Sequence, residues 1–244
     1  MGGLRGVMPV SSKEFEKKIW EMVQPVEGKN GLQLPRPWFT AFDNPLKARV
    51  FVVGANQKNG YDPAKIDIER HFTGLFNRDG ETCCKIYNEF PENQSDTRPR
   101  IKRLITEKLK KLGIEDVLET NIICRSSRQF SDLDADEEAA GLKIFSYLME
   151  TIRPKILIIY GKGVRKKFAK WRIGSPLGKW QELDKRLKDI FPNEDSEPTS
   201  ILIDGAFEVF CIRGLARAGW SEWSTWAEAY TDRLADTVAH RLNS

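Results

Sequence analysis

Residues 49–61 read RVFVVGANQKNGY, an apolar run that enters Gly54 and then offers Ala55, Asn56, Gln57 and Lys58. An amide and a cation just past an apolar strand can hold a water, read the edge of a planar ligand or meet a phosphate. The arrangement recurs along the chain. Asn121 lies within VLETNIIC (117–124), with Arg125 and Arg128 beyond it. KILIIYGKG (155–163) carries Lys162 and leads to Arg165, and Arg213 and Arg217 follow SILIDGAFEVFCI (200–212). Between Gly161 and Arg172 there are six Lys or Arg and no Asp or Glu. Such a rim suits a polyanion, because these cations neutralise phosphates and release counterions. The plainer reading of one basic helix is a solvated face; its place at the strand ends shifts the balance toward function.

Several chemistries are poorly served. GANQKNG has neither the G-x-G-x-x-G spacing nor the Gly-Lys-Ser/Thr end of a nucleotide loop. GKGVRK (161–166) could seat a phosphate on a helix N-terminus, but as a motif it is weak. The four cysteines, Cys83, Cys84, Cys124 and Cys211, form no C-x-x-C and no disulfide framework, so reduced buried thiols are expected. Two histidines, His71 and His240, are too few for a histidine-rich metal centre. No metal and no cofactor is therefore expected.

The elements that position these groups are legible from periodicity. Ser11 and Glu14 form a capping box ahead of an apolar stripe at Phe15, Ile19, Met22 and Val23. Residues 25–46 hold four prolines and read as an irregular packed arm. Val50–Val53 is a strand apolar on both faces, as in a buried parallel sheet. Residues 57–96 are long, polar and weakly periodic, a segment that is functional or holds short helices. A helix over 98–112 ends at Gly113, and 117–124 is the second strand. Asp134 caps a helix that Pro154 stops, 155–163 is the third strand, and a basic helix runs to about Trp171. Residues 173–199 look inserted. A hairpin turns at Asp204-Gly205, and an amphipathic helix starts at Ser221. Strands alternating with helices predict an α/β fold: a three-layer α/β/α sandwich around a mainly parallel four-stranded sheet. One domain is expected over 1–244, with the helix and arm of 1–48 packed on it.

At 40% apolar and 30% charged residues, the composition is that of a soluble globular chain. Val50–Val53 and Ile156–Tyr160 are too short to span a bilayer, and the first residues lack an apolar block for secretion. A cytoplasmic or nuclear protein is the expectation. The net charge of +4 is only mildly basic, so any nucleic-acid role depends on how charge is distributed.

With these residues in order, the chain resembles the uracil-DNA glycosylase superfamily over roughly residues 49–240. VFVVGAN is similar to the family's first motif, an apolar strand and a glycine followed by an acidic or amide residue, here Asn56. Mismatch-specific and single-strand-selective members carry Asn there. ERHFTGLFNRDG (69–80) is similar to the segment whose aromatic residue stacks on an extruded base, and ETNIICRSSR (119–128) to the Thr-Asn strand whose asparagine reads it. LMETIRPKILIIYGKGVRKKF (148–168) resembles the family's helix, Pro-Lys, strand, Gly, helix segment. Two positions depart from the pattern. Gln57 stands where a proline is usual, and Gly214, Leu215 and Ala216 stand where His-Pro-Ser or Asn-Pro-Ser is expected.

The resemblance implies a DNA base-excision glycosylase. Asn56 would be the catalytic group holding the attacking water, Phe72 the stacking plate and Asn121 the edge reader. Lys58, Lys162, Arg165, Arg213 and Arg217 would contact DNA, single- or double-stranded. Each has a structural alternative: a turn asparagine at 56, a core aromatic at 72, a backbone-bonded asparagine at 121. Loss of the motif histidine removes one preorganised donor, worth about 10²–10³ in rate. Two other activities fit the same residues. One is an inactive nucleic-acid-binding module on the same fold, and the other a hydrolase of free nucleosides or nucleotides.

Overall fold

The computed structural model describes residues 10–28, 31–58, 60–90, 94–127, 132–173 and 179–244. The chain opens with α1 (Ser12–Met22), started by the Ser11–Glu14 capping box. A small hairpin of β1 (Val26–Gly28) and β2 (Gly31–Gln33) follows, then β3 (Trp38–Thr40). The first long strand is β4 (Val50–Gln57). The polar segment after it contains two short helices, α2 (Ile68–Leu75) and α3 (Cys83–Glu89), capped by Asp67 and Thr82. Next come α4 (Thr97–Ile101), a π-helical stretch over Lys102–Thr106, and α5 (Glu107–Lys111). The remainder runs β5 (Val117–Ser126), α6 (Ala135–Ile152), β6 (Ile156–Tyr160), α7 (Lys162–Ile173), α8 (Lys179–Asp189), β7 (Ser200–Ile203), β8 (Phe207–Ile212), α9 (Arg217–Trp220) and α10 (Ala227–Asn243).

The main sheet has six strands in the order β3-β5-β4-β6-β8-β7. β5, β4, β6 and β8 pair in parallel, while β3 and β7 add antiparallel edges. The sheet is therefore mixed and six-stranded, which corrects the four-stranded expectation. The proline-rich arm hid β3: its three residues are all buried, so Trp38-Phe39-Thr40 carries no polar alternation. β7 is the outer half of the hairpin at Asp204-Gly205, where φ of 50° and 68° gives the doubly left-handed turn that glycine favours.

Side-chain alternation explains why both faces are covered. Phe51, Val53, Leu157, Ile159, Val209 and Cys211 point into one apolar cluster, against α1, α6, α7 and α8. Val50, Val52, Ile156, Ile158, Phe210 and Ile212 point into the other, against the 101–109 helical segment and α10. Strands buried on both sides need the near-continuous apolar runs that the sequence displays. The arm is anchored by Trp38, whose Nε1 donates to the Leu75 carbonyl at 2.8 Å and whose ring stacks on Phe15 of α1 at 5.9 Å.

Three local expectations need correcting. The single helix over 98–112 is interrupted by the π stretch, where Thr106 Oγ1 donates to the Ile101 carbonyl at 3.3 Å and the turn widens. The last long helix starts at Ala227 rather than Ser221, because Trp220, Trp223 and Trp226 pack edge to face through the preceding turns, at 5.8 and 5.3 Å. Cys83, Cys124 and Cys211 are buried free thiols, but Cys84 is exposed on α3. Among the described residues no helix is long and apolar enough to cross a membrane.

Candidate functional site

From β4 the chain passes to β5 on one side, and later to β6 and then β8 on the other. The connections thus diverge between β4 and β6, and open parallel sheets take ligands outside the carboxyl ends of the strands at such a point. A cavity of about 420 Å³ opens there. Asn56 and Lys58 reach it from the end of β4, Asn121 from β5, Tyr160 from β6, and Gly214 and Ala216 from the loop after β8.

Gly54 lies against Tyr160 and Asn121, two residues of the cavity lining. Any Cβ at this position would overlap Tyr160 Oη and stand 2.7 Å from Asn121 Oδ1, so the phenol and the amide converge over the glycine. β4 register makes this follow from sequence spacing, since Gly54 is opposite Asn121 and Val52 is opposite Glu119. Asn121 and Glu119 therefore share a face of the sheet. Burial pushes the Tyr160 hydroxyl up to about 12, against the pull of Arg98 and Arg36. It is a neutral phenol that can donate or accept.

Asn56 sits where the β4–β5 register shifts, between Asn56 and Gln57. Irregularities of this kind re-aim side chains near sites. Its Nδ2 lies 2.7 Å from Ser127 Oγ, 3.2 Å from the Ser127 carbonyl and 3.1 Å from the Gln57 carbonyl. Two of these are obligate acceptors, so the amide nitrogen must face them and Oδ1 faces away. Gln57 is buried and has a structural role. Its Nε2 donates to the Arg36 carbonyl, and Ser126 Oγ donates to its Oε1 at 3.0 Å. The strand end is thereby tied to the arm.

Besides exposed Lys58, charge in the cavity comes from the arm, α4 and β5 rather than from the basic helix. Arg98 is paired with Glu119, whose other oxygen lies 3.3 Å from Thr106 Oγ1. The Arg98 guanidinium lies 3.4 Å from the centre of the Phe39 ring. Burial and the neighbouring Arg36 work against its charge, lowering its pKa from the ordinary arginine value. Arg36 donates to Tyr61 Oη at 3.0 Å and lies 5.2 and 5.5 Å from the Tyr61 and Tyr87 ring centres. Burial opposes its charge too, but the two phenols hold its pKa above the ordinary value.

The expected site residues separate into two groups. Asn56, Asn121 and Lys58 line the cavity together. Phe72 does not: it packs edge to face on Trp20 at 5.2 Å and against Phe76 at 5.0 Å, as a core aromatic of α2. The aromatic walls are Phe39 and Tyr160, with Trp38 and Tyr87. Arg165 is buried, paired with Asp184 at 2.8 Å and set over Phe191, so it is not a surface cation. Arg213 donates to the Pro192 carbonyl at 2.9 Å and to Glu222 at 3.0 Å, over Trp226. Lys162 is exposed but shares Glu222 at 3.7 Å, and Arg217 is exposed at the start of α9. Elsewhere on α7, Lys167 meets Glu138 and Arg172 meets Asp204. The run of six cations is largely neutralised by acids from other elements, which a count along the chain misses. Arg128 lies outside the described residues.

Neither histidine serves the cavity. His71 is buried with Nε2 2.9 Å from the Pro35 carbonyl, and burial pushes it down to about 4. His240 is on α10, exposed. In the loop after β8 Leu215 is fully buried, its carbonyl accepting from Arg100 at 2.6 Å, while the Gly214 carbonyl accepts from Trp223 Nε1 at 3.1 Å. Sequence reasoning missed Tyr160, Arg36, Arg98 and Glu119. Tyr160 had a signal, as the polar-tipped last residue of an apolar strand. The chain matches no protein-family model, and no curated protein matches it significantly.

Proposed function

We propose that the cavity receives a nucleobase turned out of DNA, and that the protein is a base-excision glycosylase for uracil or another deaminated base. In this reading the fold is a three-layer α/β/α sandwich of the glycosylase type. The observation that carries it is the orientation of Asn56. With Nδ2 held by Ser127 and Gln57, Oδ1 is left to accept a proton of a water at the switch point of the sheet. Tyr160, Phe39 and Tyr87 give the cavity aromatic walls for a planar ligand, and Asn121 offers an amide to its edge.

The chemistry asks little of the protein. The C–N bond to the sugar breaks, the base leaves with the electron pair, and the sugar becomes cationic. Water held by Asn56 attacks the anomeric carbon and loses its proton to solvent. An amide is no general base, so the chemical step is slower than one served by a carboxylate. A second reading is favoured by the loop at 214–216, which presents no imidazole. On that reading the same pocket binds an extruded base without cleaving it.

Oligonucleotides carrying uracil, hypoxanthine, xanthine or mismatched thymine, incubated with the protein and then treated with alkali, separate the two. Abasic sites that vanish in Asn56→Ala support the glycosylase. Binding that weakens in Asn121→Ala, with no abasic sites, supports the binding module. Neither binding nor cleavage refutes both.

A further inference from the structure

The cavity holds a charge that the basic helix does not explain. Arg98 is neutralised by Glu119, but Arg36 has no carboxylate partner among the described residues. Its only hydrogen-bond acceptor there is Tyr61 Oη, one partner for five N–H donors. Lys58, the other cation lining the cavity, is exposed and screened by solvent. The rings of Tyr61 and Tyr87 flank the Arg36 guanidinium and keep it in a surrounding where a charge interacts more strongly than in water. A neutral ligand leaves that cation uncompensated, whereas an anionic one pairs with it.

We infer that Arg36 makes the pocket selective for a base carrying a negative charge, so that ionised xanthine is preferred over hypoxanthine. The inference rests on the base-pocket reading and names its substrate class. The two purines differ by one ring carbonyl, and only xanthine loses a ring proton near neutrality. The groups around Arg36 are Tyr61, Tyr87, Cys83, Arg98, Glu119 and Tyr160, with Cys124 and His71 behind. Burial pushes Cys83 up to about 11 and Cys124 and Tyr160 up to about 12, and raises Tyr61. His71 is pushed down to about 4. None of these five changes charge between about pH 6 and 8, so a pH-dependent preference in that window does not come from them.

The test compares oligonucleotides bearing xanthine or hypoxanthine, and the two free bases as competitors, against the full chain and Arg36→Gln. A charge-assisted hydrogen bond predicts a preference for xanthine of about 10- to 100-fold at pH 8. That preference shrinks toward unity as the base is protonated at lower pH. Arg36→Gln abolishes it and Arg36→Lys keeps part of it. Because the readout is a ratio within one preparation, partial unfolding of a variant does not mimic the result. Equal handling of the two bases by the wild type, or a preference untouched in Arg36→Gln, overturns the inference and leaves the base pocket standing. Competition by inorganic phosphate that disappears in Arg36→Gln, without a xanthine preference, also overturns it by assigning Arg36 to a phosphate. If no base binds at any pH, the base-pocket reading falls and the inference with it.

Discussion

Replacing Glu119 by alanine tests the electrostatic skeleton of the cavity. The Glu119 and Arg98 side chains are 9% and 17% exposed, so solvent does little to screen the pair. Glu119→Ala strands the Arg98 guanidinium over Phe39, with Arg36 as a like-charged neighbour. Removing one partner of a buried pair costs about 3–5 kcal/mol, because the remaining charge stays desolvated. For a chain of this size each kcal/mol moves the melting temperature by about 2–4 °C, so a drop of roughly 6–20 °C is expected. Urea titration should show a lower midpoint at an unchanged slope. The double variant Arg98→Met, Glu119→Leu replaces the pair with apolar bulk and should recover much of the loss that Arg98→Met and Glu119→Leu each cause alone, giving a coupling of about 2–3 kcal/mol in that cycle. A loss below about 1 kcal/mol in Glu119→Ala, or a double variant as unstable as the sum of the singles, refutes this account of the pair.

Three further outcomes are expected. Asn56→Asp turns a carboxylate toward the carbonyls of Ser127 and Gln57, so it should lower stability by about 1–3 kcal/mol in chemical denaturation, although an Asp would be the better base. If the proposed pocket takes its base from DNA, Arg165→Gln should destabilise the fold by breaking its pair with Asp184 while leaving the salt dependence of that binding unchanged; Lys58→Gln should leave stability alone and reduce the slope of log K against log salt by about 1. His71 stays neutral in the fold down to about 4, against an ordinary value of 6.5. Between those values the unfolded chain binds a proton that the native state does not. Stability should therefore fall by about 3 kcal/mol as pH drops through that window, and His71→Gln should flatten the dependence in denaturant titrations from about pH 7 to 4.

Local chemistry made much of this protein legible from its sequence. The capping boxes at Ser11–Glu14 and Asp134–Glu137, the turn at Asp204-Gly205 and the doubly apolar strands all depend on neighbours within a few residues. Asn56 was foreseeable on the cavity because it lies at the carboxyl end of β4, and the parallel register that sets Asn121 opposite Gly54 brings the second amide beside it. What stayed hidden depends on residues far apart in the chain. Phe72 and Phe39 are both aromatics beside apolar residues, and only packing decides that Phe72 lies half-buried against Trp20 and Phe76 while Phe39, buried in the core, also lines the cavity. The basic run at 162–172 looks free until Glu138, Asp184 and Asp204 arrive from three other elements. Arg36 lies in a segment without clear periodicity and Arg98 at the start of the expected 98–112 helix, and both become cavity residues because the 36–39 arm and α4 close over the switch point. Side-chain burial and charge pairing are properties of the assembled sheet and its helices, so the sequence named the amides while tertiary structure chose the cations.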